Sequence, residues 1–154
     1  QHPQFWTLQP EWYDRRAWKE HPLMAAGNAP AVYEGVTAGF DALLAEYGYR
    51  RDGLLYRCAR NTGDTIALFA HFGLGMVLLS HVSGIAPTML WQSLFMPTSS
   101  VTTLITEERE PGLVFFKCMQ VGDTSHLYAG DEPVSPSGLF AECYDGDKAQ
   151  GAQV

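Results

Sequence analysis

The chain has 154 residues, 46% of them hydrophobic, enough for one domain with an apolar core. Its formal charge is −7 and no lysine- or arginine-rich block interrupts it, which argues against a nucleic-acid or polyanion surface but leaves a small anionic ligand open. The three cysteines, Cys58, Cys118 and Cys143, are odd in number and have no C-x-x-C spacing, so they read as free thiols and argue against a disulfide frame or a zinc site.

No apolar run reaches membrane-spanning length, and no basic-then-apolar leader opens the chain. The expectation is a cytoplasmic protein with no membrane partner. The first residue is Gln, which reads as a processed or trimmed piece.

Residues 1–27 are aromatic and irregular, with Phe5, Trp6, Trp12, Tyr13 and Trp18 among three prolines. Pro10 to Lys19 predicts a short helix with proline at its start. Aromatics at this density need a surface to cover, so the segment reads as a flap packed on its own domain or a lid over a pocket.

Asn28 to Gly48 predicts the clearest helix, with Asn28 as cap, Pro30 in the first turn and Gly48 as stop. Val32, Val36, Phe40, Leu43 and Tyr47 form its core stripe. Gly35 and Gly39 suggest close packing on a sheet. Tyr49 to Arg57 reads as a hairpin turning at Asp52-Gly53. Arg50, Arg51, Arg57 and Arg60 read as a solvated face; they and Arg15-Arg16 are the two arginine groups able to reach an anion. Cys58 does not open a phosphate loop, because such a loop needs Cys, five residues, then Arg, and Asp64 holds the last position.

Ile66 to Ala70 is an unbroken apolar run. It predicts a strand buried on both faces, as in a parallel sheet. His71 ends the run, Gly73 and Gly75 loosen the backbone, and a helix begins at Met76 and closes at Gly84. His71 is thereby expected at the carboxyl end of a central strand, facing the first turn of the next helix, where open α/β sheets bind ligands. Free N–H groups and the positive helix end favour an anion there. A lone histidine after an apolar strand is also often a hydrogen-bonded core residue, and spacing alone leaves both readings standing. His81 lies on a mostly apolar helical pattern, has no acidic neighbour in sequence and reads as structural.

Ile85 to Phe95 predicts a second helix, with Pro87 in its first turn and Leu90, Trp91 and Leu94 buried. Ser99 to Thr106 predicts a strand, Glu107 to Gly112 a turn, and Leu113 to Val121 its antiparallel partner. Gly122 to Ser125 is a loop, and His126 follows it. Asp123 and Glu142 are carboxylates by type only. Leu139, Phe140, Cys143 and Tyr144 form a weak stripe, and 147–154 reads as a loose tail. No spacing marks a metal site.

ALFAHFGLGMVLLSHVSGIAPTMLW, then SSVTTLITEE, then GDTSHL, resembles the C-terminal half of a histidine phosphatase of the phosphoglycerate mutase-like superfamily. The resemblance covers roughly Pro30 to Tyr144. It implies a three-layer α/β fold, a mostly parallel sheet flanked by helices, with residues 1–146 one portion of that domain and its N-terminal strands absent. It further implies a phosphomonoester hydrolase acting through a phosphohistidine without a cofactor. His71 matches the family's second, phosphate-binding histidine, with Phe72 and Gly73 where an immediate Gly is commoner. Phe72, Gly73 and His126 are the implied substrate contacts.

The nucleophilic Arg-His-Gly element does not occur in the 154 residues, since none of His2, His21, His71, His81 and His126 follows an arginine. The resemblance therefore places the nucleophile upstream of residue 1. It makes a small phosphorylated substrate the expected partner, with a homodimer or the chain's own N-terminal half as possible protein partners. A non-catalytic module binding a phosphorylated ligand or a protein is the first alternative. A plain α/β interaction domain is the second.

Overall fold

The computed structural model describes residues 5, 8–60 and 63–139. Phe140, Glu142, Cys143, Tyr144 and the segment 147–154 lie outside the described residues, as do His2 and Trp6. In chain order come helices α1 (Pro22–Ala25) and α2 (Ala29–Glu46), strands β1 (Tyr49–Asp52) and β2 (Leu55–Cys58), helices α3 (Phe72–Ser83) and α4 (Pro87–Ser93), strands β3 (Val101–Glu110) and β4 (Leu113–Asp123), and helix α5 (Ser125–Ala129). The strands form one four-stranded antiparallel sheet in the order β1-β2-β4-β3. The chain divides into two compact units, residues 1–94 with 104–117, and residues 95–103 with 118–154.

Two expectations are corrected. The sheet is antiparallel, not the mostly parallel, three-layer phosphoglycerate mutase-like sheet. Ile66 to Ala70 is not its inner strand. That run has no regular secondary structure, Leu68 is 48% exposed and Phe69 is 99% exposed. An apolar run becomes a buried strand only where neighbouring strands take up its N–H and C=O groups. Among the described residues, β1, β2, β4 and β3 bond to one another, and Ile66 to Ala70 pairs with none of them. Ile66 alone of the five packs against the main core.

Local signals are realised more closely. Pro30 stands in the first turn of α2, Asn28 is its N-cap residue without a side-chain bond, and Gly48 follows its end at φ +90°. The stripe is displaced, however. Thr37, Phe40 and Leu44 are the buried residues, while Val32 is 53% exposed. A Cβ on Gly35 or Gly39 would meet nothing within 4 Å, so neither glycine marks a close approach to the sheet.

The β1–β2 register pairs Asp52 with Leu55, which puts the turn at Gly53-Leu54, one residue later than expected. Gly53 supplies the positive φ of 64°. Helix α3 begins at Phe72, four residues before Met76, and closes on Gly84 at φ +73°. A Cβ at Gly84 would stand 3.2 Å from Leu54 Cδ2.

In the first unit, Phe40 and Leu44 of α2, Tyr49, Tyr56 and Cys58 of the hairpin, Val82 of α3 and Val114 of β4 form the core. Trp12 and Trp18 are fully buried in the same unit. Trp18 meets Tyr33 and Trp91 edge-on, and Thr88 Oγ1 donates to the Trp12 carbonyl at 2.5 Å. In the second unit, Gly122 at φ +66° brings its backbone against Phe95 and Pro97, and its N–H donates to Thr102 Oγ1. Among the described residues, no helix is long and apolar enough to cross a membrane.

Candidate functional site

His71 is the N-cap residue of α3. Its backbone is extended, at φ −73° and ψ 160°, and its side chain is exposed. The first helical bond of α3 runs from the Gly75 N–H to the His71 carbonyl, 3.0 Å. The N–H groups of Phe72, Gly73 and Leu74 precede it and have no intrahelical acceptor. They carry the positive end of a 12-residue helix dipole. Imidazole and amide donors thus share one end of one helix, an arrangement able to hold an oxyanion.

The same helical turn opens onto an apolar groove of about 380 Å³. Gly73, Leu74 and Val77 of α3 form one wall, and Val32 and Val36 of α2 another. Trp91 of α4 also lines it and donates its indole N–H to the Gly73 carbonyl at 3.4 Å. The two α2 valines expected in the core line this groove instead. Phe72 is 38% exposed beside it in sequence.

The fourth expected site residue is His126. It is exposed on α5, in the second unit. Nearby, Asp123 Oδ2 accepts from the Ser125 hydroxyl at 2.8 Å, and Oδ1 from its N–H at 3.2 Å. Those bonds hold the Asp123 carboxyl below its ordinary range. Among the described residues, no group of three or more His, Cys, Asp or Glu side chains could hold a metal ion.

A second polar cluster stands at the other end of α3. His81 Nε2 lies 2.9 Å from Asp41 Oδ1, and the Tyr56 hydroxyl donates to the same oxygen at 2.8 Å. Arg51 completes the network through three donors. Its Nη1 reaches Tyr56 Oη at 2.8 Å, Nη2 the His81 carbonyl at 2.9 Å, and Nε the Gly53 carbonyl at 2.7 Å.

Burial pushes the His81 pKa below its ordinary value, against the pull of Asp41, and the Arg51 charge adds to the depression. Burial and the Asp41 bond raise the Tyr56 phenol well above its ordinary value, so its proton stays available to Asp41. As Asp41 Oδ1 is an acceptor, neutral His81 carries its proton on Nε2.

Sequence reasoning missed Asp41 and read His81 as lacking an acidic partner. The partner lies 40 residues away, on α2. A signal was present. Asp41 falls at helical spacing between the buried Thr37 and Leu44, so it stands on the core side of its helix.

Comparison with known protein families, curated proteins and solved structures finds no match to this chain.

Proposed function

We propose that this chain is the His71-bearing half of a histidine phosphatase that hydrolyses phosphomonoesters through a phosphohistidine. The observation that supports it is the place of His71, exposed at the N-terminus of α3 beside three N–H groups without helical partners. The motif resemblance to that superfamily supplies the reaction. In this reading, His71 and the N–H groups of Phe72 and Gly73 hold the phosphoryl oxygens. They donate most strongly where charge builds in the transition state. The apolar groove beside Gly73 and Leu74 takes the organic part of the ester.

The nucleophilic imidazole is not among these residues, because no histidine here follows an arginine. A histidine outside the given sequence attacks phosphorus, the ester P–O bond breaks, and the departing alkoxide takes a proton from a carboxylic acid. Water then cleaves the P–N bond and releases inorganic phosphate.

The test is a steady-state assay of the whole parent protein on an aryl phosphate, wild type against His71→Ala. The variant is expected to keep its circular dichroism and to lose about a hundred- to a thousand-fold in kcat, with a smaller change in KM. Equal kcat values, or no phosphate release by the wild type, would overturn the reading.

A further inference from the structure

Where α3 ends, about 18 Å from His71 by helical rise, the first unit has a small polar cavity of about 70 Å³, half open to solvent. A single water needs about 10–15 Å³ of such space, so the cavity has room for several waters or one tetrahedral oxyanion. Arg15, Arg16, Arg51, His81 and Ser80 are among its lining residues, and no carboxylate is.

The hydrogen bonds show which donors remain for a ligand. Ser80 Oγ donates to the Ile85 carbonyl at 2.7 Å, so it must accept from the Tyr33 hydroxyl, 3.2 Å away. Neither hydroxyl has a proton left. Arg51 has five N–H groups and uses three. Two remain, on a guanidinium fixed in place by three bonds to neutral acceptors.

Arg15 and Arg16 have no ion pair among the described residues. The neighbouring Asp14 carboxylate accepts from the Arg16 and Ala17 N–H groups at 2.7 and 2.8 Å, and its charge also acts on both arginines. Lys19, the next cation, is paired with Glu34 at 3.0 Å. Three guanidiniums thus converge on one cavity in a chain whose net charge is −7. Asp41, from behind His81 and Tyr56, and Asp14, beside Arg15 and Arg16, offset part of that charge, and the end of α3 adds roughly half a negative charge. The three arginines still leave a small positive excess, and their planar, many-donor geometry suits phosphate oxygens.

We infer that the cavity lined by Arg15, Arg16 and Arg51 at the carboxyl end of α3 binds a phosphate group, either the free ion or the end of a phosphomonoester. The site is separate from the His71 end of the helix and does not rest on the hydrolase reading.

The experiment is isothermal titration of the 154-residue chain with inorganic phosphate at fixed ionic strength, with chloride as the blank. Saturable binding is expected, weakened at least tenfold in Arg15→Gln/Arg16→Gln, since these side chains are exposed and unpaired and their loss leaves the core intact. Arg57→Gln/Arg60→Gln removes the same charge outside the cavity and is expected to bind as the wild type does. His71→Ala is also expected to bind normally.

Bound phosphate should raise the His81 titration midpoint by NMR, because a dianion favours the imidazolium. Phenyl phosphate competing as well as phosphate assigns the site to monoesters; no competition assigns it to the free ion. Absence of saturable binding, equal loss in the two arginine pairs, or loss in His71→Ala overturns the inference.

Discussion

Replacing Asp41 by Ala should cost this fold far more than a surface substitution. The carboxylate oxygen Oδ1 accepts from Tyr56 and from His81, at 2.8 and 2.9 Å. Hydrogen bonds to charged groups are worth about 1.5–3 kcal/mol each. The two losses differ in kind. The His81 and Asp41 side chains are 14% and 24% exposed, so water replaces part of the bond to the ring. Tyr56 is fully buried, and its hydroxyl proton finds no substitute acceptor.

The net cost is therefore about 2–4 kcal/mol, which for a domain of this size lowers Tm by roughly 4–16 °C. The assay is urea and thermal unfolding of Asp41→Ala, Tyr56→Phe and the double variant. Removing the hydroxyl should relieve part of the Asp41→Ala cost, so the double variant should fall short of the sum by more than about 0.5 kcal/mol. A cost for Asp41→Ala below about 0.5 kcal/mol, or simple additivity, would refute the network as drawn.

Two further outcomes follow from the same structure. Phe69→Ala should change stability by less than about 0.5 kcal/mol, because the ring is 99% exposed, whereas a phenylalanine inside a buried strand would cost about 3–5 kcal/mol; a urea melt distinguishes them. Stability should also fall as pH drops below about 6.5. Unfolded His81 takes up its proton near that value, while folded His81, buried, bonded to Asp41 and under the charges of Arg51 and Lys19, takes it up at lower pH, so the unfolded chain binds more protons in between. In His81→Gln, the urea midpoint should change less between pH 7.5 and 5.5, and an unchanged slope would show that other groups set it.

The sequence by itself determined the elements whose cause is local. Pro30 and Gly48 bound α2, Gly53 turns the first hairpin, and Gly84 stops α3, because each acts through its own φ or missing N–H. The β-branched run up to Thr106 and the apolar run from Leu113 likewise became β3 and β4, although β3 runs on through Glu110, four residues into the expected turn. His71 was expected at the end of a strand, before a helix starting at Met76; it is instead the N-cap of a helix that starts at Phe72.

Partnership was not legible. Ile66 to Ala70 has the composition of a buried strand, yet burial depends on which strands stand beside it, and these four pair among themselves. Asp41 and His81, 40 residues apart, and Arg15, Arg16 and Arg51 from distant segments meet only through the packing of α2, α3 and the hairpin. Periodicity gives an element's inward face only approximately, as the displaced stripe of α2 shows. What it meets there is decided by contacts between distant parts of the chain, which only the tertiary structure contains.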